Sequence, residues 1–113
     1  MSQPVDEFEP PYYAVIFSNR LDLESDDGYG DMAERMVELA EGQQGFLGVD
    51  SARNPDGFGI TVSYWKSLED IEAWRNNSEH KKAQKLGWEK WYKSFTLNIA
   101  RVERTAGKRE QGL

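Results

Sequence analysis

Residues 46–65 read FLGVDSARNPDGFGITVSYW, and this stretch decides the fold. Phe46–Arg53 and Phe58–Trp65 are two short runs of strand-forming composition. Between them lies Asn54-Pro55-Asp56-Gly57, where Pro fixes φ, Asp can bond its own backbone and Gly supplies a positive φ. The pattern predicts a β-hairpin.

Working outward, Tyr12–Ser18 (YYAVIFS) is a β-branched and aromatic run, predicted as a strand. Between it and the hairpin, SDDGYGDMAERMVELAEGQQG (25–45) places Tyr29, Met32, Ala33, Met36, Val37 and Ala40 at helical spacing. Asp26 and Asp27 suit the positive end of that helix, and Gly42 or Gly45 can stop it. After the hairpin, Ser67-Leu68-Glu69-Asp70 resembles a capping box opening a helix that carries Leu68, Ile71 and Trp74. Asn76-Asn77-Ser78 interrupts it, and Ser78 is the expected cap of a continuation through about Trp91. Ser94–Glu103 (SFTLNIARVE) alternates Phe95, Leu97 and Ile99 with Thr96, Asn98 and Ala100, and is predicted as the last strand. Strand, helix, two strands, helix, strand is the ferredoxin-like βαββαβ order, an α+β fold with a four-stranded antiparallel sheet and its helices on one face.

The other face of such a sheet is polar when it meets water. Here it is not. The first strand offers Tyr13, Val15 and Phe17 on one side and Ala14 and Ile16 on the other. The third offers Phe58, Ile60, Val62 and Tyr64 against Thr61, Ser63 and Trp65. A second copy of the chain is the simplest cover, so a homodimer is expected.

With 113 residues the chain has room for one domain, read as 12–104, with a polar, proline-bearing arm at 1–11 and a polar tail at 105–113, both expected to be flexible. A net charge of −6 argues against nucleic acid and anionic membranes as partners. The absence of cysteine excludes disulfides and thiolate chemistry. The first residues lack a basic segment followed by an apolar one, and no apolar run approaches the roughly 18–20 residues of a membrane span. A cytoplasmic location is the expectation.

Gly45-Phe46-Leu47-Gly48, then Tyr64-Trp65-Lys66-Ser67-Leu68-Glu69-Asp70-Ile71-Glu72-Ala73-Trp74, then Glu79-His80 with Ala83-Gln84, resemble the antibiotic biosynthesis monooxygenase family of the dimeric α+β barrel superfamily. The resemblance runs from about Tyr12 to Val102 and implies a dimer whose two sheets close into a barrel. It further implies a cofactor-independent monooxygenase, an oxidoreductase acting on a small aromatic or polycyclic compound. The alternatives it leaves are a haem-binding or haem-degrading monooxygenase and a non-catalytic small-ligand-binding dimer.

The haem-degrading members are marked by an Asn ending the first strand, a Trp in the second helix and an iron-ligating His ten residues later. Asn19 and Trp74 match, but the third position is Gln84. The single histidine, His80, precedes it by one helical turn, about 6 Å along the axis. An iron ligand must bring its nitrogen to about 2 Å, and a rotamer does not absorb that displacement. No metal site and no cofactor are expected.

His80 is the one side chain whose ordinary pKa lies near neutrality, so it is the candidate proton acceptor, against a plain packing role near a helix start. Asn19 is the candidate polar catalytic anchor, against a turn hydrogen bond to its own backbone. Trp65, Trp74, Phe17 and Gln84 are candidate substrate-binding residues, with core packing the competing reading for each Trp. Trp88 and Trp91, three residues apart, suggest an edge or interface. Gly28-Tyr29-Gly30 lacks the further residues of a phosphate loop.

Overall fold

The computed structural model describes residues 3–110. Its elements are β1 (Tyr12–Leu21), α1 (Tyr29–Glu41), β2 (Phe46–Arg53), β3 (Phe58–Trp65), α2 (Leu68–Arg75), α3 (Ser78–Leu86), a single π-helical turn (Gly87–Trp91) and β4 (Tyr92–Val102). The four strands form one antiparallel sheet in the order β2-β3-β1-β4, the ferredoxin-like arrangement.

Besides β4, which runs from Tyr92 to Val102 rather than Ser94 to Glu103, three boundaries differ from expectation, each for a local reason. β1 runs on to Leu21, because Asn19 and Arg20 pair with Gly59 and Phe58 and with Phe95 and Ser94. α3 is capped by Asn77 rather than Ser78, its Oδ1 accepting from the backbone N–H of Glu79 (3.0 Å) and His80 (3.1 Å). The helix expected to continue to Trp91 turns π-helical at Gly87. A Cβ there would lie 2.6 Å from Cε2 of Tyr92, so only glycine lets that ring pack against the turn. The wider turn carries Trp91 into the interior, where its Nε1 donates to the carbonyl of Asp27 at 3.1 Å; Trp91 is therefore core, not the edge residue its spacing suggested.

Across the sheet the register sets the helix-side face in rows. One row is Phe46, Trp65, Tyr13 and Arg101, and the next is Val49, Ser63, Val15 and Ile99. Then come Ser51, Thr61, Phe17 and Leu97, and last Arg53, Gly59, Asn19 and Phe95. The main core lies over the first two rows: Trp65, Ile71, Trp74 and Ala40, with Tyr13, Val15, Met36, Leu39 and Phe46 packed around them. α3 packs on α1 and α2, tied to α1 by Arg35, whose Nε and Nη2 each donate to Glu79 at 3.2 Å. The edge strand β4 is consequently left bare on this side, with Phe95, Leu97 and Ile99 at 42, 45 and 51% exposure.

The opposite face is partly covered by the chain's own ends. The Val5 N–H donates to Asp50 Oδ1 at 3.1 Å, and the Phe8 ring packs on Tyr12 (5.5 Å) and Tyr64 (6.3 Å). Arg109 pairs with Asp6 at 2.7 Å and donates to the Pro4 carbonyl at 2.6 Å. Arm and tail thus meet on the sheet; the parts of the predicted arm and tail at 1–2 and 111–113 lie outside the described residues. Phe58 and Ile60 on this face stay exposed. Among the described residues no helix is long and apolar enough to cross a membrane.

Candidate functional site

The helix-side face carries two clusters, and the predicted site residues divide between them. In the first, Trp65 is fully buried at 0% exposure, stacked on Trp74 at 6.1 Å, and Trp74 in turn stacks on His80 at 4.1 Å with ring planes 12° apart. Trp65 and Trp74 are therefore members of the core, with Met36 packed against the same cluster and the Trp74 ring lying against the imidazole. His80 Nδ1 lies 3.0 Å from the carbonyl oxygen of Trp74. A carbonyl only accepts, so Nδ1 holds the proton and the lone pair sits on Nε2. Burial pushes the His80 pKa below its ordinary value, and the hydrogen bond to the carbonyl offsets part of that. Among the described residues no buried polar side-chain atom lacks a partner, and Nε2 takes none, so it is open to solvent or a ligand.

The second cluster lies at the far end of the sheet. Asn19 is 2% exposed and is the buried polar residue of the described chain. Its Oδ1 accepts from Arg53 Nη2 at 2.8 Å, while its Nδ2 makes a long contact, 3.5 Å, to the Phe17 carbonyl. Arg53 Nη2 also donates to the Tyr29 hydroxyl (2.9 Å), and Nη1 donates to the Gly57 carbonyl (2.6 Å). The Tyr92 hydroxyl donates to that of Tyr29 at 3.3 Å. Burial first, then the neighbouring Tyr29 hydroxyl, holds the Tyr92 phenol protonated far above the usual tyrosine range, against the opposing pull of Arg53. Phe17 packs edge-on to Tyr92 (5.1 Å) and against Phe95 (5.7 Å), and Trp88 stacks on Phe95 at 5.7 Å. Phe17 is thus a wall of an aromatic surface that continues into the bare row of β4.

His80 and Asn19 share no partner. The Trp65 indole donates to Ser63 Oγ, on the row of Val15, four residues and about 13 Å along β1 from Asn19. Gln84 stands half-buried one turn beyond His80 on α3.

Arg53 and Tyr29 did not emerge from the sequence as site residues. One signal was legible: Gly59, a lone glycine inside a strand, marks a close approach. A Cβ at Gly59 would lie 2.8 Å from Arg53 Cζ, so the guanidinium lies across the sheet over the glycine to reach Asn19.

A haem does not fit these residues. Gln84 offers an amide where the haem-degrading pattern has an imidazole, and the one imidazole stands a helical turn earlier on α3, stacked on Trp74. Among the described residues no three His, Cys, Asp or Glu side chains gather as a metal site.

Residues 12–86 match the family described as antibiotic biosynthesis monooxygenase. Over 96 residues the chain is 55% identical to the uncharacterized protein YqjZ of Bacillus subtilis (strain 168), covering 85% of this chain and 83% of the relative. A conserved protein from Methanosarcina mazei Go1 has a similar structure, with TM-score 0.73 and 15% identity over 82% of this chain and 94% of the other. So has a variant of SnoaB, a cofactor-independent oxygenase from Streptomyces nogalater, with TM-score 0.73 and 8% identity over 86% of this chain and 98% of the other. At those identities the structural likeness shows the fold, while the match over most of the domain and the close relative show the kinship. The chain belongs to the antibiotic biosynthesis monooxygenase family.

Proposed function

We propose that the protein is a cofactor-independent monooxygenase acting on a polycyclic aromatic compound that bears a phenolic hydroxyl. The observation that carries this reading is an apolar surface on the helix side of the sheet, half-buried Phe17 with the exposed Phe95, Leu97 and Ile99 of β4, next to the buried amide of Asn19, together with an imidazole whose Nε2 lone pair is free. The substrate rings lie along this surface, Asn19 orients a ring oxygen, and His80 Nε2 accepts the proton whose loss makes the ring electron-rich. Once deprotonated, the substrate supplies all four electrons that reduce dioxygen. A C–H bond is lost and a C=O bond forms, one oxygen atom stays in the product quinone, and the other leaves as water with the two hydrogens given up by the substrate. The protein's part is an aromatic surface, a proton acceptor and an oriented amide. Neutral His80 suits that role at pH 7, because burial favours its unprotonated form.

The homodimer belongs to the same reading. A second copy would cover Phe58 and Ile60 together with what the arm leaves open on that face. Light scattering at micromolar concentration is expected to give twice the 13.0 kDa chain mass, and a monomer would refute it.

Oxygen uptake with hydroxylated naphthalenes and anthracenes tests the chemistry, with quinone followed by absorbance. Uptake is expected without added metal, flavin or haem, and Asn19→Ala and His80→Ala are each expected to lower it by about 100-fold or more. If both variants turn over every accepted substrate at the native rate, the reading fails.

A further inference from the structure

Four of the chain's six other arginines are ion-paired, whereas Arg53 is held by neutral groups. Arg20, Arg35, Arg75 and Arg109 each sit within 4 Å of a carboxylate (Asp56, Glu79, Glu72 and Asp6). Arg53 instead meets three neutral oxygens: the Gly57 carbonyl, Asn19 Oδ1 and the Tyr29 hydroxyl. In a protein of net charge −6 this is a cation held away from the available anions.

Its placement is built. Arg53, Gly59 and Asn19 are consecutive members of one row across β2, β3 and β1, so the guanidinium crosses the sheet over the one position without a side chain. A guanidinium has five N–H donors, and the three bonds leave the Nε proton and one Nη1 proton unused. Tyr29 accepts from both Arg53 and Tyr92, which leaves its own O–H proton for another acceptor. One proton on Asn19 Nδ2 is likewise free. Arg53, Tyr29 and Asn19 meet beside the aromatic surface of Phe17, Phe95 and Trp88, Asn19 being paired with Phe95 across the sheet.

We infer that Arg53, Tyr29 and Asn19 form a binding site for the anionic oxygen of a flat aromatic ligand, a carboxylate or phenolate, with the ring on Phe17 and Phe95. This rests on the preceding reading for where the ligand lies, but it concerns recognition and needs no turnover. The site selects the charged form of the ligand through the charge of Arg53, which no carboxylate neutralises, and its unused N–H protons.

Calorimetric titration under nitrogen, with 2-naphthoate and the isosteric neutral 2-naphthamide, reads binding alone. The native protein is expected to bind the naphthoate at least about tenfold more tightly, and added salt to shrink the difference. Arg53→Gln is expected to bring the ratio near one, and so is Gly59→Ala, whose methyl displaces the guanidinium. Equal affinity for the two compounds, or no saturation with either, overturns the inference from the native protein alone, without relying on a variant to fold. A folded Arg53→Gln that keeps the preference also overturns it, leaving Arg53 as a clamp on the β2–β3 turn. A preserved preference with no oxygen uptake in air would sink the oxygenase reading and leave this one standing.

Discussion

Replacing Trp74 by alanine tests the physical account of His80 most directly. Trp74 is buried between Trp65 and His80, so the substitution removes the middle plate of a three-ring stack. A buried indole hides about 200 Å², which at about 25 cal/mol per Å² is about 5 kcal/mol. Observed costs of Trp→Ala in cores run about 3–5 kcal/mol, the cavity being only partly closed by relaxation. Against a total stability of about 5–15 kcal/mol the protein is left marginal, and Trp74→Leu, which keeps more volume, serves where the alanine variant does not fold.

The same change has a second, independent readout. Burial is the main reason the His80 pKa lies below its ordinary value. The unfolded chain takes up its proton near pH 6.5, and the folded chain only at lower pH. This contribution to stability is therefore complete above about pH 6.5 and is lost as pH falls through the lowered folded value. Removing the indole admits water to the ring, so the pKa rises toward the ordinary value and this acid loss shrinks. Because the chain has one histidine, a proton NMR titration follows a single imidazole signal. Urea unfolding at about pH 8 and about pH 5 measures the stability side. A native His80 titrating at or above the ordinary value would refute the reasoning, as would Trp74→Ala costing less than about 1 kcal/mol with the titration unmoved.

Two further outcomes are expected. Asn19→Ala removes the acceptor of Arg53 Nη2 and should cost about 1–3 kcal/mol in urea unfolding; a cost near zero would show that the buried amide is not held as described. Asn77→Ala should cost about 1 kcal/mol through loss of the α3 cap, whereas Ser78→Ala should stay within about 0.5 kcal/mol. The reverse order would restore the cap that the spacing alone suggested.

The hairpin at 46–65, the helical spacing from Tyr29 to Ala40 and the alternation in Phe95–Ile99 specify strands, helices and their order, because local periodicity follows from the geometry of each element. The family resemblance was legible for the same reason, since the residues from Gly45 to Trp74 are contiguous in the chain. Ser67 as the cap of α2 was also legible, being settled within four residues by its bond to the Asp70 N–H. What spacing does not carry is the angle at which a helix leaves the sheet. α3 leans on α1 and α2, and that choice leaves Phe95, Leu97 and Ile99 bare on the side expected to be covered.

The candidate site divides along the same line. Asn19, His80, Trp65, Trp74, Phe17 and Gln84 were identifiable one by one from residue type and resemblance. Only the tertiary structure decided that the two Trp rings are core and that His80 belongs to their stack rather than to the surroundings of Asn19. Arg53 and Tyr29 were hidden because Arg53 reaches Asn19 from 34 residues away on another strand, and Tyr29 meets Arg53 from a helix N-terminus. Cross-strand register brings Arg53, Gly59 and Asn19 into one row, and register is a property of paired strands, not of either strand alone. The sequence by itself determined the elements, their order and the family. The fold decided which polar groups meet, because a hydrogen bond is set by distance in space and the chain's local rules act over only a few residues.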